Sequence, residues 1–142
     1  MTAYDYLSQA RDIAREIRQL KKMKQEYLAE ATAVTASLTG MPGSVSKDPH
    51  KFDRYVLLVD CLNEKIRELD RLSASICRAV NSVPDSRQRY ILRAKYIPDA
   101  RGRCRTLKQI AKEMHYSESQ VRRIHREGLA SVEKKMNAHD RS

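Results

Sequence analysis

A heptad repeat of apolar residues runs through the first half of the 142-residue chain. Between Tyr6 and Leu38, these residues recur at alternating intervals of four and three, with one polar member. A second series with the same intervals extends from Phe52 to Val80. Such intervals place each series on one face of an α-helix, whereas a half-buried strand would require a period of two. The pattern therefore predicts two long amphipathic helices.

A segment rich in turn-forming residues separates the two series. Residues 39–50 contain two glycines and two prolines, which end helices and reverse the chain. Two helices of similar length joined by a short turn form an antiparallel hairpin. Pairing them symmetrically about the turn predicts that Tyr27 lies beside Cys61 and Leu62. We therefore expect residues 1–80 to form a helical hairpin, which packs on the rest of the chain or forms a homodimer.

Charge is distributed unevenly between the two halves of the chain. Residues 1–80 contain 13 Lys and Arg against 11 Asp and Glu, a balance of +2, whereas residues 81–142 contain 15 against 7, a balance of +8. A nearly neutral half joined to a basic half is typical of a scaffold attached to a polyanion-binding domain. Aromatic residues make up only 6%, too few for a broad β-sandwich core, so we expect an all-α fold.

Two short helical patterns, separated by an Arg-rich connector, follow the hairpin. Asp85 or Ser86 can cap the first of these helices, and Pro98 stops it. Thr106 caps the second helix, whose apolar face consists of Leu107, Ile110, Ala111 and Met114.

A third pattern begins at Ser117, where Ser117 and Gln120 have the spacing of a capping box. Val121 and Ile124 then present an apolar face to the preceding helix. Two helices joined in this way by a tight turn form a helix-turn-helix motif. We therefore expect residues 81–142 to form a helix-turn-helix domain that binds double-stranded DNA.

The outer face of this last helix is the candidate reading surface. At about 100° per residue, Ser119, Arg122, Arg123 and Arg126 lie opposite the apolar face that begins at Val121. In this motif the first turns of the second helix enter the major groove, and Arg is well shaped to bind guanine. The residues predicted to contact base edges are Ser119, Gln120, Arg122 and Arg123, although Gln120 is partly engaged in its cap.

Most of the residues predicted to contact phosphate groups surround the beginning of the helix that Thr106 caps, where backbone amides and positive charge attract anions. Ser117, at the cap of the last helix, and Arg126, on its outer face, complete the set. The set consists of Arg101, Arg103, Arg105, Lys108, Ser117 and Arg126.

The segment from Pro84 to about Met136 resembles region four of bacterial sigma factors, which reads the upstream promoter element. The matching stretches are R-A-K-Y-I, T-L-K-Q-I-A-K-E-M, S-E-S-Q-V-R-R-I-H and G-L-A-S-V-E-K-K-M. Gly128 replaces the usual Ala of that family, and Glu118 and Ser119 replace its usual Arg-Glu pair.

The whole chain resembles the RinA/ArpU-like family of phage-encoded late-gene transcriptional activators. The resemblance rests on the opening T-A-Y-D-Y-L, the turn S-L-T-G-M-P-G-S and the sigma-like C-terminal module. It implies a phage or prophage protein that binds DNA near a late or packaging-gene promoter and assists the host RNA polymerase. Two alternatives remain open: a DNA-packaging protein of the small-terminase type, and an interaction module that binds polymerase with little DNA contact.

No motif of an enzyme occurs in the sequence: there is no Gly-rich phosphate loop, no H-E-x-x-H and no G-x-S-x-G. We expect no catalytic residue, no metal site and no cofactor. The N-terminus lacks the pattern of a signal peptide, and no apolar run is long enough to span a membrane, which favours a cytoplasmic location in a bacterial host. Cys104, between Arg103 and Arg105, is a minor candidate for a redox-sensing thiol of lowered pKa.

Overall fold

A computed structural model of the chain describes the backbone of residues 1–40 and 50–140 and the side chains of residues 1–33 and 50–140. Within these residues the secondary structure consists of helices without strands, which confirms the all-α prediction. The predicted turn at 39–50 lies largely outside the described residues. The helices are α1 (Ala3–Gly40), α2 (Lys51–Asn81), α3 (Ser86–Tyr96), α4 (Leu107–Met114) and α5 (Glu118–Asp140).

The apolar stripes predicted on α1 and α2 are the buried faces of these helices. Among the residues with described side chains, every member of the two series except Phe52 is buried or half-buried. Phe52, which lies at the margin of its stripe in the first turn of α2, is 41% exposed. The periodicity missed two further core residues, Ala3 and Leu7, which are almost completely buried at the beginning of α1.

The chain divides into two compact units, of which the first comprises residues 1–15 and 71–142. Within this unit the beginning of α1 packs against the end of α2, where the hydroxyl groups of Tyr6 and Ser75 are 2.6 Å apart. Leu7, Ile76 and Val80 are completely or almost completely buried. The division at residue 80 into a separate hairpin and DNA-binding domain stays a prediction about independent folding.

The second unit, Glu16–Asp70, contains the remaining parts of α1 and α2. The rings of Tyr27 and Tyr55 lie against each other with their centroids 6.1 Å apart. The prediction that Tyr27 lies beside Cys61 and Leu62 was therefore wrong. Leu62 lies one heptad beyond Tyr55, and a slip of one heptad keeps the same helix faces in contact, so the repeat could not reveal it.

The three helices that follow α2 form a small apolar core. Its buried members come from α3, α4 and α5 and are Ile91, Ile110, Ala111, Val121 and Ile124. No helix in the described part of the chain is long and apolar enough to cross a lipid bilayer.

Candidate nucleic-acid interface

The turn between α4 and α5 is built by backbone hydrogen bonds and one left-handed residue. His115 ends α4 with a φ of 59°, in the left-handed region that Gly, Asn, Asp and His occupy more readily than other residues do. The next amide, that of Tyr116, donates to the carbonyl oxygen of Ala111 at 3.0 Å. The amide of His115 likewise donates to the carbonyl oxygen of Lys112, at 3.4 Å. These bonds satisfy free carbonyl groups of α4, and only residues 115–117 separate α4 from α5.

Capping boxes fix the beginnings of both helices of the motif. Thr106 Oγ1 accepts from the amide of Gln109, whose side chain accepts from the amide of Thr106. The predicted box at α5 is confirmed, because Ser117 Oγ accepts from the amide of Gln120 at 3.2 Å and Gln120 Oε1 accepts from the amide of Ser117 at 3.3 Å. The Gln120 side chain is thus engaged at the helix terminus. Ser119 is exposed on the first turn of α5.

The outer face of α5 carries the predicted arginine side chains, all of them exposed. Val121 and Ile124 on the opposite side are at most 2% exposed, so the core behind the arginines fixes which way they face. The side chains of Arg122 and Arg123 are 64% and 62% exposed. Arg126 makes no ion pair within the described residues. The three guanidinium groups are therefore accessible to a ligand outside the chain.

Two glutamates of α5 pair with these arginines, and sequence reasoning missed both. Glu118 Oε2 is 3.3 Å from Arg122 Nη2, and Glu127 Oε1 is 4.0 Å from Arg123 Nε. The spacing of four residues between acid and base is a signal that would have predicted them. Exposed pairs of this kind contribute about 0.5 kcal/mol or less, so a stronger anion can replace the carboxylate.

An ordered loop presents two of the predicted phosphate-binding residues. Asp99 Oδ1 accepts hydrogen bonds from the amides of Arg101 and Arg103 at 2.9 and 3.0 Å. These bonds, that from Arg103 above all, lower the pKa of the Asp99 carboxyl group. Gly102 adopts a φ of 78°, which a residue with a Cβ would adopt only with strain. The loop thereby holds Arg101 and Arg103 at the surface.

Arg105, another of the predicted phosphate contacts, forms an ion pair with an acidic residue of α4. Its Nη1 lies 2.7 Å from Oε2 of Glu113, which also accepts a hydrogen bond from the Tyr90 hydroxyl at 3.1 Å. This network joins α3 to α4 across the connector. Lys108, in the first turn of α4, is exposed and makes no ion pair in the part of the chain that the structure describes.

Behind the arginine-bearing face of α5, Tyr96 of α3 and His125 of α5 form a buried polar pair. The Tyr96 hydroxyl lies 2.7 Å from His125 Nε2, and the rings stack with centroids 5.6 Å apart. Burial lowers the pKa of His125 to about 4 and raises the pKa of Tyr96 to about 12, so both side chains are neutral at pH 7. Sequence reasoning had not identified this pair, since nothing in the spacing relates positions 96 and 125.

Cys104 does not have the lowered pKa that its two arginine neighbours suggest in the sequence. Burial raises the pKa of its thiol, and this effect outweighs the attraction of Arg11 and Lys95 for the thiolate. The structure therefore contradicts the redox-sensing interpretation, which requires a stabilised thiolate.

Comparison with known proteins identifies the C-terminal segment. The family "Sigma-70, region 4" matches residues 85–134, which contain α3, α4 and most of α5. No curated protein and no solved structure shows significant similarity to the chain. Domains of the matched family bind DNA in a regulatory role and are not catalytic. Residues 85–134 are therefore a helix-turn-helix region of the sigma-70 region 4 type.

Proposed function

We propose that this protein is a sequence-specific transcription regulator whose α5 enters the major groove of double-stranded DNA. The observation that carries the proposal is the exposed arginine face of α5, set against a buried apolar face in a segment of the sigma-70 region 4 type. In helix-turn-helix proteins the corresponding turns contact base edges.

The side chains divide into two groups in this proposal. Ser119, Arg122 and Arg123 contact base edges, and Arg is the side chain best suited to guanine O6 and N7. Gln120 contributes through its amide nitrogen while its oxygen stays in the cap. The residues that contact phosphate groups are Arg101, Arg103, Lys108, Ser117 and Arg126, joined by Arg105 where DNA phosphate replaces Glu113.

We further propose that the protein activates late or packaging genes of a phage, together with the RNA polymerase of the bacterial host. The resemblance of the whole chain to the RinA/ArpU-like activators supports this step. The sigma-type segment supports it as well, because sigma factors act on promoters in contact with polymerase.

The hairpin is proposed to join two copies of the chain. The unit Glu16–Asp70 exposes several large apolar side chains within its described part, which are Met23, Leu28, Phe52, Val56, Leu57 and Leu58. Apolar surface of this kind is typical of association sites. Light scattering after gel filtration is expected to give a dimer, whereas an assembly of eight or more copies would favour the DNA-packaging alternative.

The central test compares arginine variants on a duplex that the wild-type protein selects from a random-sequence pool. Arg122→Ala and Arg123→Ala are each expected to weaken binding by about 1–3 kcal/mol and to relax selectivity at one base pair. Arg67→Ala removes an equal charge from the exposed surface of α2 and serves as the matched control. Unchanged binding by both α5 variants would refute the proposed reading face.

A further inference from the structure

Helices α3 and α5 contact each other at three successive levels. Ser131 Oγ donates to Gln88 Oε1 at 3.2 Å, and Gly128 lies so close to Leu92 that a Cβ there would be 3.2 Å from a Leu92 methyl group. The third level is the Tyr96–His125 pair. Across the three levels the residue numbers rise along α3 (88, 92, 96) and fall along α5 (131, 128, 125), so the two helices are antiparallel. The third level is the nearest to the arginines of α5.

Only the third level combines burial with a directional bond. Tyr96 is 5% exposed and His125 is 9% exposed, and their hydrogen bond and ring stacking both depend on orientation. Tyr4 packs edge-on against Tyr96, with centroids 6.2 Å apart, and thereby limits the movement of that ring. Apolar contacts such as that of Leu92 with Gly128 tolerate small rotations, whereas a buried hydrogen bond weakens steeply with angle.

The rotation of α5 about its axis decides where its arginines point. His125 lies between Arg122 and Arg126 in sequence, and on the helix it is roughly 60° and 100° away from them. A rotation of about 10° moves atoms at a radius of about 5–6 Å by about 1 Å, enough to break a hydrogen bond to a base edge. Phosphate contacts by long cationic side chains are less sensitive to such a shift.

We propose that Tyr96 and His125 are positioning residues that set the rotation of α5 and thereby the base selectivity of its arginines. This inference rests on the proposed DNA-binding function and goes beyond it, since neither side chain contacts DNA. It separates two properties of binding: selectivity depends on the Tyr96–His125 pair, whereas non-selective affinity depends on the cationic surface alone.

The decisive variant is Tyr96→Phe, which keeps the ring and removes the hydroxyl group. Tyr90→Phe is the matched control, because Tyr90 also lies on α3 but its hydroxyl contacts Glu113 of α4. The probes are the duplex that the wild type enriches from a random-sequence pool and poly(dI-dC), titrated at several salt concentrations and at a temperature where circular dichroism shows each variant folded.

Tyr96→Phe is expected to reduce the ratio of the affinity for the selected duplex to the affinity for poly(dI-dC) by about tenfold. That is the effect of losing one hydrogen bond between α5 and a base edge. Its affinity for poly(dI-dC) and its salt dependence are expected to match the wild type, and Tyr90→Phe is expected to keep the wild-type ratio. His125→Phe is expected to behave like Tyr96→Phe. In His125→Gln, the side-chain amide can replace Nε2 as the partner of the hydroxyl, and most of the selectivity is expected to return.

Two outcomes distinguish failure of the positioning role from failure of the proposed DNA-reading function. If Tyr96→Phe lowers the melting temperature but keeps the wild-type affinity ratio, the pair is merely structural and the positioning role is overturned while the reading face stands. If the wild-type protein enriches no duplex at all, the proposed DNA-reading function fails, and the positioning role fails with it.

Discussion

The buried His125 makes the stability of the fold depend on pH in a direction that can be worked out from the structure. Its pKa is about 4 in the folded chain, against an ordinary value of 6.5. Between these values the unfolded chain binds a proton that the folded chain does not, so the free energy of unfolding falls as the pH falls. The part of the free energy of unfolding that depends on the neutral His125 is fully present above about pH 6.5 and is lost as the pH decreases toward 4.

The size of the effect follows from the two pKa values. Lowering the pH from 7.5 to 5 is expected to reduce the free energy of unfolding by about 2 kcal/mol through His125 alone. Urea unfolding followed by circular dichroism at several pH values in this window measures the change. The window stays above the range in which most carboxyl groups titrate.

Two variants assign the effect to this side chain. His125→Phe cannot bind the proton, so its stability is expected to vary much less between pH 7.5 and 5 than that of the wild type. His50→Ala, which removes an exposed histidine immediately before α2, is expected to keep the wild-type slope. Equal slopes in the wild type and His125→Phe would refute the reasoning that burial of this imidazole controls the pH response.

Further predictions concern the backbone of the motif. His115→Gly relieves the left-handed conformation at the end of α4 and is expected to change stability by less than about 1 kcal/mol, whereas the β-branched His115→Val is expected to destabilise the fold by more than that in chemical denaturation. Gly128→Leu places a large side chain against buried Leu92 and is expected to cost about 1–3 kcal/mol. A Gly128→Leu protein as stable as the wild type would show that α3 and α5 move apart without cost.

The helices and their caps were predictable because their signals are local. The apolar periodicity of α1 and α2, and the Ser117–Gln120 box, depend on residues only a few positions apart. Hydrogen bonds between such residues form in nearly the same way whatever the tertiary structure, and the structure contains them as expected.

Pairing between distant segments was not predictable in the same way. The repeat in α1 and α2 allows registers that differ by one heptad. The contact of Tyr27 with Tyr55 shows that the register differs from the one that symmetric pairing about the turn predicts. The bond between Tyr96 and His125, like that between Tyr90 and Glu113, depends on how helices cross. No spacing in a single sequence encodes that geometry.

The glutamates beside Arg122 and Arg123 affect more than the conformation of those side chains. In the proposed complex with DNA, each of these carboxylates repels the phosphate backbone, so a random duplex gains less binding free energy from the arginines than their charge alone would provide. A sequence whose guanines bind the guanidinium groups directly compensates for this repulsion, because bidentate hydrogen bonds replace the weak surface pairs. In the proposed complex, the acidic residues of α5 thus lower the affinity for random DNA more than the affinity for the correct site, which widens the gap between that site and its many competitors.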